Sequence, residues 1–434
     1  MEINNAYSLL SFLDNSPCNF LAAATIKAQL DANGFKELKQ SERWSLEKGG
    51  KYYVVKNSTA IFGFVIGEAS LHESGFNIIS AHSDSPCFRI KPNPEMLADG
   101  VLKLNTEVYG GPILYTWFDR PLSLAGRVIV RNPENPTRPV TQLIDFKEPV
   151  LIIPHLAIHF NREVNGGNPL SKQKDILPVA AIINDAAEKE DFLLNKIKAE
   201  LNLDNVSDIL DFDLMVYNYQ RAQLVGFNKE FVSSGRIDDL SMAHAALMGL
   251  LNSSESSTTK VMAIFDNEET GSGTKQGAAS PVLANILKRI ANNFNLDEDG
   301  FFQTIANSFL ISADNAHAAH PNYAEKYDPT NHPKMGGGPV IKINANCKYM
   351  TDAHSSAIFK EICKAAGVPC QYFVNHSDVA GGSTLGNILT SQIDIDGVDM
   401  GNPIWAMHSA METGSILDHE YAIRAFTQFY NTRL

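Results

Sequence analysis

Residues 76–84 have the sequence FNIISAHSD, an apolar run that ends in a histidine and an aspartate. The run is short and bounded by polar residues, which predicts a buried strand over 76–80. His82 and Asp84 then follow the end of that strand. Because ligands of open α/β sheets bind beyond the carboxyl ends of the strands, these two side chains are candidates for a binding site.

The same arrangement recurs at other predicted strand ends. They are VMAIF before Asp266, Glu268 and Glu269, SFLISA before Asp314 and His317, and PIWAM before His408. A single strand-terminal aspartate is commonly a helix N-cap, and a single histidine is commonly a satisfied, partly buried side chain. Four such ends that share imidazole or carboxylate chemistry favour one common crevice instead.

The rest of the chain surrounds this strand with alternating elements. The pattern predicts helices over 20–33, 240–251 and 281–293, and strands over 52–55, 61–66, 261–265 and 308–312. This alternation predicts an α/β fold with a mixed, largely parallel sheet flanked by helices. Strand-like runs with Pro and Gly punctuation fill 91–235. We therefore expect a discontinuous main domain, 1–90 and 236–434, with an inserted β-rich domain of 91–235.

Composition narrows the class of partner. The 434 residues carry a formal net charge of −13, which argues against nucleic acid or an anionic membrane surface as the main partner. The five cysteines form no CxxC pair and are odd in number, which favours a reducing compartment, the cytoplasm. Asp14 interrupts the short apolar run at the start, so we expect no secretory signal. No apolar run has the length needed to span a bilayer.

The candidate ligands indicate the metal. No HExxH occurs, which excludes the single-zinc helical peptidases. Imidazole and carboxylate ligands without thiolate suit Zn²⁺, with Mn²⁺ or Co²⁺ as substitutes. Two ions need a bridging carboxylate, and Asp238 in RIDDL could be that bridge or a helix N-cap. Of Glu268 and Glu269, one could bind metal while the other moves a proton, or both could be solvated acids before Gly271.

Longer blocks of sequence resemble those of the M18 aspartyl aminopeptidases, in family order and over nearly the whole chain. The blocks are AHSDSPCFRIKP, YGGPILYTWFDRPLSLAGRVIVR, IPHLAIHFNR, GRIDDL, DNEETGSGTKQGA, ISADNAHAAHPNY, GPVIKIN and AMHS. The resemblance implies a cytoplasmic two-zinc aminopeptidase that prefers peptides with N-terminal Asp or Glu. It also implies a catalytic domain made of both chain ends, an inserted dimerisation domain, and a large homo-oligomer built from dimers, a dodecamer.

The resemblance also implies a role for each ligand. His82 and Asp314 would hold one zinc ion and Glu269 and His408 the other, with Asp238 bridging both. The base that moves the proton would be the glutamate at 268, and the aspartate at 84 would accept the second imidazole N–H of the histidine at 82.

Four further residues match substrate-contact positions of the family. His159 would reach the active site of a neighbouring subunit, whereas without the resemblance His155 and His159 would be a helical pair at a domain edge. His317, Lys342 and Tyr349 complete the set. Lys342 lies in the strand-like run VIKIN, as an edge-strand guard or as a pocket cation that pairs with an acidic substrate side chain.

Three departures from the family pattern concern specificity. Ala380 and Gly381 replace a Pro-Cys pair of the best-known eukaryotic members, Asp239 stands where Asn is usual, and Met411 replaces an Arg. An extra carboxylate and a lost cation both disfavour an acidic substrate side chain. Two alternatives also stay open: a two-zinc amidohydrolase or deacylase of small N-acyl substrates, and a non-catalytic shell protein on the same fold.

Overall fold

The computed structural model describes residues 3–183, 186–254 and 257–434. The chain divides into two compact units. The first contains the chain up to Asp84 together with residues 222–407 and 412–434, and the second contains residues 85–221 and 408–411. The predicted domain boundaries lay at 90/91 and 235/236.

The helices and strands of the described residues are numbered in chain order. The α-helices are α1 Ile3–Asp14, α2 Asn19–Ala32, α3 Leu71–Ser74, α4 Phe192–Glu200, α5 Ile237–Asn252, α6 Val282–Asn293, α7 Glu298–Ala306, α8 Ala353–Ala365, α9 Leu385–Leu389 and α10 Ile416–Asn431. The strands are β1 Lys36–Glu37, β2 Lys51–Lys56, β3 Ala60–Val65, β4 Phe76–His82, β5 Cys87–Ala98, β6 Val101–Tyr109, β7 Leu122–Val130, β8 Val140–Asp145, β9 Val179–Ile182, β10 Ile209–Asn218, β11 Gln223–Val225, β12 Phe231–Ser234, β13 Thr259–Phe265, β14 Phe309–Ala313, β15 Ala316–His317, β16 Val340–Ile343, β17 Gln371–Val374, β18 Asp396–Gly401, β19 Pro403–Trp405 and β20 Glu412–Ser415.

A nine-stranded mixed sheet forms the centre of the first unit within the described residues. Its strand order is β1-β2-β3-β13-β4-β14-β18-β16-β17. Strand β4 lies between β13 and β14 and runs parallel to both. Every residue of β4 is buried, as expected for a strand that is covered on both faces. The mixed α/β fold predicted from the sequence is confirmed.

The alternation of side chains along these strands builds a separate core on each face of the sheet. On one face Ile79 and Met262 pack with residues of α1, α2, α5, α8 and α10. On the other face Ile78 and Val261 pack with residues of α6, α7 and α9. Successive strand residues point to opposite faces, so neighbouring positions contribute to different cores. Because β4, β13 and β14 are parallel, the residues that follow these strands share one edge of the sheet.

The predicted helices and strands of the first unit are confirmed within a few residues, with one informative exception. Helix α5 extends back to Ile237, yet Asp238 and Asp239 have non-helical backbone angles. The regular helix begins at Leu240, as the sequence pattern predicts. The two aspartates therefore lie in an irregular segment before the regular helix. The directions of their side chains do not follow the helical repeat.

The second unit contains a six-stranded antiparallel sheet within its described residues, in the order β8-β7-β10-β5-β6-β9. Its core includes Phe88 and Trp117, whose ring centroids lie 4.7 Å apart. The interpretation of His155 and His159 as a helical pair is wrong. His159 lies in a short 3₁₀ turn, Ile158–Phe160, whereas His155 precedes it and packs on the Phe118 ring.

Among the described residues, no helix combines the length and the apolar character needed to cross a bilayer.

Candidate metal centre

The candidate ligands of the first unit meet because of the strand order at the centre of the sheet. In the register of β13 and β4, Phe265 lies opposite His82. Strand β14 runs parallel to β4 on its other side and ends immediately before Asp314. The three strands therefore present their carboxyl ends together, and the polar residues that follow them converge there.

Two groups of side chains at this edge have the spacing of metal ligands. Ligand atoms of His82, Glu268 and Asp314 all lie within 4.8 Å of one another, and so do those of His82, Asp238 and Asp239. Asp238 and Glu269 also approach within 4.8 Å. His82 belongs to both groups. The helix N-cap interpretation of Asp314 is wrong, because β15 follows this residue instead of a helix.

Asp84 connects the end of β4 to the segment after β13. One carboxylate oxygen of Asp84 accepts the backbone N–H of Glu268 and the other that of Glu269, each at 3.1 Å. The two glutamates open a 3₁₀ turn, and this pair of bonds fixes the turn beside His82. Asp84 therefore positions both glutamates through hydrogen bonds from their backbone N–H groups.

The surroundings of His82 select its tautomer. Its Nδ1 lies 3.0 Å from the main-chain oxygen of Asp84 and 3.4 Å from the Asp84 carboxylate. Nδ1 faces acceptors only, so it carries the proton and donates it. Nε2, which lies 3.8 Å from Oδ1 of Asp238, is then the nitrogen at which a metal ion would replace a proton.

Asp238 and Asp239 are held by bonds that run between distant segments. The backbone N–H of Asp238 donates to Oε2 of Glu412 at 3.0 Å. The Asp239 carboxylate accepts the backbone N–H of His82 at 3.1 Å and that of Asn315 at 3.3 Å. Asp239 thus joins the ends of β4 and β14 and faces backbone N–H groups inside the protein.

Lys342 forms a buried ion pair with Asp314. Its Nζ donates to Oδ1 of Asp314 at 2.9 Å, and the lysine is 4% exposed. The Tyr349 ring centroid lies 5.7 Å from Nζ. Burial disfavours the charged amine, but Asp314, Tyr349 and Asp399 together outweigh burial and raise the pKa of Lys342. Burial also raises the pKa of Tyr349. The ammonium is therefore present at neutral pH beside Asp314.

The electrostatic balance of this edge fits a divalent cation. Burial raises the pKa of Glu268 to about 8, and the Asp314 and Glu269 carboxylates add to this effect. Burial raises the pKa of Asp239 well above its ordinary value. Burial lowers the pKa of His82, but the surrounding carboxylates outweigh it and raise this pKa well above 6.5. Crowded carboxylates with an imidazole and no thiolate are the donor set that zinc accepts.

The other predicted residues belong to neither of these two groups. His317 is exposed on β15, with its ring 5.8 Å from that of Phe373. His408 belongs to the second unit, where its Nδ1 lies 3.1 Å from the carbonyl oxygen of Gly111. His159 is an exposed residue of the second unit.

Sequence reasoning missed several residues that hold this edge in place. Asn19 donates to Oδ1 of buried Asp266 at 2.9 Å, and Glu412 accepts from Asp238. Buried Asp399 accepts the backbone N–H of Met350 at 2.6 Å, beside Tyr349. A carboxylate inside an apolar strand run, as at Asp399 in GVDMG, was a visible signal. Asn19 at a helix start offered none, because that position favours asparagine for capping alone.

Comparison with known proteins identifies the family of the chain. The sequence profile described as "Aminopeptidase I zinc metalloprotease (M18)" matches residues 12–430. A probable M18 family aminopeptidase 2 of Clostridium novyi is 52% identical over 431 residues, which cover 99% of each chain.

Solved structures share the fold over almost the whole chain. The cryo-EM structure of the Ape4 and Nbr1 complex has a TM-score of 0.94 and 35% identity, with 98% of this chain and 85% of that chain covered. The S. cerevisiae mApe1 dodecamer has a TM-score of 0.86 and 26% identity, with 98% and 96% covered. The predicted metallopeptidase fold and hydrolase class are confirmed. The chain belongs to the M18 family of zinc metalloproteases and is an aminopeptidase.

Proposed function

We propose that this aminopeptidase works with two metal ions. The proposed ligands are His82 and Asp314 for one ion, Glu269 and His408 for the other, and Asp238 between them. The observation that supports this best is that Asp238 has ligand atoms within 4.8 Å of those of His82 and of those of Glu269. When bound, zinc would polarise the scissile carbonyl and lower the pKa of water. Mn²⁺ or Co²⁺ suits the same oxygen and nitrogen donors.

The histidine proposed for the second ion has a suitable tautomer. Nδ1 of His408 lies 3.1 Å from the carbonyl oxygen of Gly111, which accepts a hydrogen bond from the N–H of that nitrogen. The lone pair is then on Nε2, the same arrangement as in His82. Two histidines whose Nδ1–H is held by backbone oxygen support the proposed metal set, since this contact fixes the ring and the tautomer together.

Glu268 is the proposed base and acid of the reaction. Its carboxylate takes a proton from the attacking water and gives it to the amine that leaves. The Asp84 carboxylate holds the backbone N–H of Glu268 in place, and the Glu268 carboxylate lies beside His82 and Asp314. Because its backbone is held by a hydrogen bond, the base keeps its position when the substrate leaves, which suits repeated turnover.

The substrate of the proposed reaction is a peptide with a free N-terminal amine, preferably Asp or Glu. Lys342 supports this preference because an ammonium has three donors and the bond to Asp314 uses one. Tyr349 beside it and His317 on β15 are the further proposed contacts. Met411 in place of an Arg opposes the preference, because one cation fewer is available to an acidic side chain.

We also propose an assembly in the cytoplasm built from dimers, a dodecamer, with the β-rich region as the dimerisation element. The exposed segment around His159 supports this. Leu156, Ile158 and Phe160 are 56%, 47% and 80% exposed, and such an apolar stretch suits an interface between subunits. His159 would then contact substrate in a neighbouring subunit. Five cysteines, an odd number without a CxxC pair, support the reducing compartment.

A substrate panel tests the proposed function. Aminoacyl anilides with Asp, Glu, Ala and Leu are assayed with zinc, manganese and cobalt in turn, each with a free or an acetylated amine. We expect turnover only with a free amine and the highest rates for Asp and Glu. Lys342→Met should reduce the acidic rates more than the neutral ones, while Lys348→Met, an exposed neighbour, should change neither. Cleavage of the acetylated substrates would instead indicate an amidohydrolase.

A further inference from the structure

Asp399 is a fully buried carboxylate in the middle of a central strand. Strand β18 lies between β14 and β16 in the nine-stranded sheet, and Ser312 of β14 lies opposite Asp399. Burying a carboxylate is costly unless its oxygens accept hydrogen bonds. The groups that donate to Asp399 therefore indicate its role.

Each carboxylate oxygen of Asp399 accepts a hydrogen bond from a different segment. Oδ2 accepts the backbone N–H of Met350 at 2.6 Å, and Oδ1 accepts the hydroxyl of Thr384 at 2.6 Å. The backbone N–H of Asp399 also donates to Oγ1 of Thr351 at 2.9 Å. Met350 and Thr351 precede α8, and Thr384 precedes α9. One strand residue therefore holds two loop segments on the sheet.

The same two segments pack closely against β18. A Cβ built on Gly386, in the first turn of α9, would lie 2.4 Å from Oδ2 of Asp399. A Cβ built on Gly397 of β18 would lie 2.5 Å from Cε of Met350. Neither glycine has space for a side chain, so the Asp399 carboxylate and the Met350 side chain are enclosed. We therefore expect the backbone around Met350 to have little freedom.

The residue before Met350 is Tyr349, one of the proposed substrate contacts. The centroid of its ring lies 5.7 Å from Nζ of Lys342, which donates to Asp314 at the proposed metal centre. The hydrogen bond from Met350 to Asp399 therefore fixes the backbone from which the Tyr349 ring extends to Lys342.

We propose that Asp399 is a positioning residue for substrate specificity, which acts through the Met350 N–H to hold Tyr349 beside Lys342. This inference rests on the proposed function, in which Lys342 and Tyr349 contact the N-terminal side chain of the peptide. Asp399 does not touch the substrate, because none of its surface is exposed. Loss of its hydrogen bonds should weaken the binding of the N-terminal side chain and leave the hydrolytic step unchanged.

Kinetics of Asp399→Ala with aminoacyl anilides test the proposal. The variant removes the acceptor of the Met350 N–H, so KM should rise about 10-fold for the N-terminal residue with the lowest KM in the native enzyme. The value of kcat should change by less than about twofold, because the proposed metal ligands and Glu268 are retained. Zinc content, measured by elemental analysis, should equal that of the native protein.

Two controls separate positioning from stability and from charge. Asn77→Ala removes another buried side chain, one that donates to two backbone carbonyl oxygens in and after α10, and should leave KM unchanged. Asp399→Asn removes the charge but can keep both hydrogen bonds. Its amide oxygen accepts the Met350 N–H, and its NH₂ group donates to the Thr384 hydroxyl. KM of this variant should stay within about twofold of the native value.

Thr351→Val removes the other hydrogen bond between this segment and β18, and it tests the proposal even where Asp399→Ala does not fold. Its KM should rise about threefold, and Thr351→Ser, which keeps the hydroxyl, should restore the native KM. An unchanged KM in Thr351→Val, a loss confined to kcat, or equal increases in Asp399→Ala and Asp399→Asn would overturn the proposal. A native enzyme that does not prefer Asp or Glu would contradict only the proposed preference, because KM is compared for whichever residue binds best.

Discussion

The buried ion pair between Lys342 and Asp314 gives the most informative perturbation. The variant Lys342→Met keeps the length and apolar stem of the side chain and removes the ammonium. In the metal-free protein this leaves the Asp314 carboxylate without the cation that lies 2.9 Å from it. In the zinc-loaded protein, the proposed ion would compensate the same carboxylate. The loss of stability that the substitution causes should therefore depend on whether the metal is bound.

The expected size follows from the geometry. At 2.9 Å and an effective dielectric constant of about 20, the attraction is roughly 6 kcal/mol, part of which is offset by desolvation. Breaking a buried pair costs about 3–5 kcal/mol. For a unit of roughly 290 residues the unfolding entropy is about 0.6 kcal/mol per kelvin, so the midpoint should fall by about 5–8 °C without metal.

Thermal unfolding of both forms measures this dependence. We expect the decrease in zinc to be less than half of that in chelator. Lys260→Met is the matched control, since Lys260 is a buried lysine on β13 whose Nζ donates to Ser253 and Ser254. Its decrease should be equal in zinc and in chelator. Equal decreases for Lys342→Met would refute the assignment of Asp314 as a ligand.

Three further predictions concern the base, the positioning carboxylate and acid stability. Glu268→Gln should keep its zinc content by elemental analysis and lose about 10²–10⁴-fold in turnover, and loss of zinc would contradict its role. Asp84→Asn places an amide against two backbone N–H groups, so zinc affinity in a chelator titration should fall about 10–100-fold; unchanged affinity would refute its positioning role. Burial lowers the pKa of His419 to about 3 and that of His244 well below 6.5, so the unfolded state binds their protons first. Stability should decline as the pH falls from about 6.5 towards 3, by at most about 1.4 kcal/mol per pH unit for each histidine, and His419→Gln should flatten this slope in urea unfolding.

The sequence predicted the centre of the fold because local patterns carry that information. The apolar run before His82 and the alternation along β13 determine which residues are buried on which face. Polar residues at the ends of parallel strands then indicate a common edge. The convergence of His82 with Asp314 follows from strand order, which alternating helices and strands strongly restrict.

The contacts that hold the edge could not be predicted from local pattern. Glu412 accepts the Asp238 N–H across 174 positions of sequence, and Asn19 donates to Asp266 across 247. Such hydrogen bonds depend on how whole helices and strands pack. A single sequence does not show which distant residues form pairs. A pattern leaves alternatives open, such as a helix N-cap or a metal ligand for Asp314. Only the element that follows the residue decides between them.

Lys342 illustrates the same limit at one residue. A charge in the apolar run VIKIN is compatible with an exposed edge strand or with a pocket. The structure places β16 between β18 and β17, inside the sheet, which excludes the edge position. No local pattern indicates that its partner is Asp314, because the pair forms only when β14 and β16 are placed on either side of β18.

Anomalous diffraction at the zinc absorption edge, from crystals of the zinc-loaded protein, tests the two-metal centre most directly. We expect two peaks per chain beyond the ends of β4 and β14, one beside His82 and Asp314, the other beside Glu269 and His408, with the Asp238 carboxylate between them. A single peak, or peaks that His82 does not contact, would contradict it.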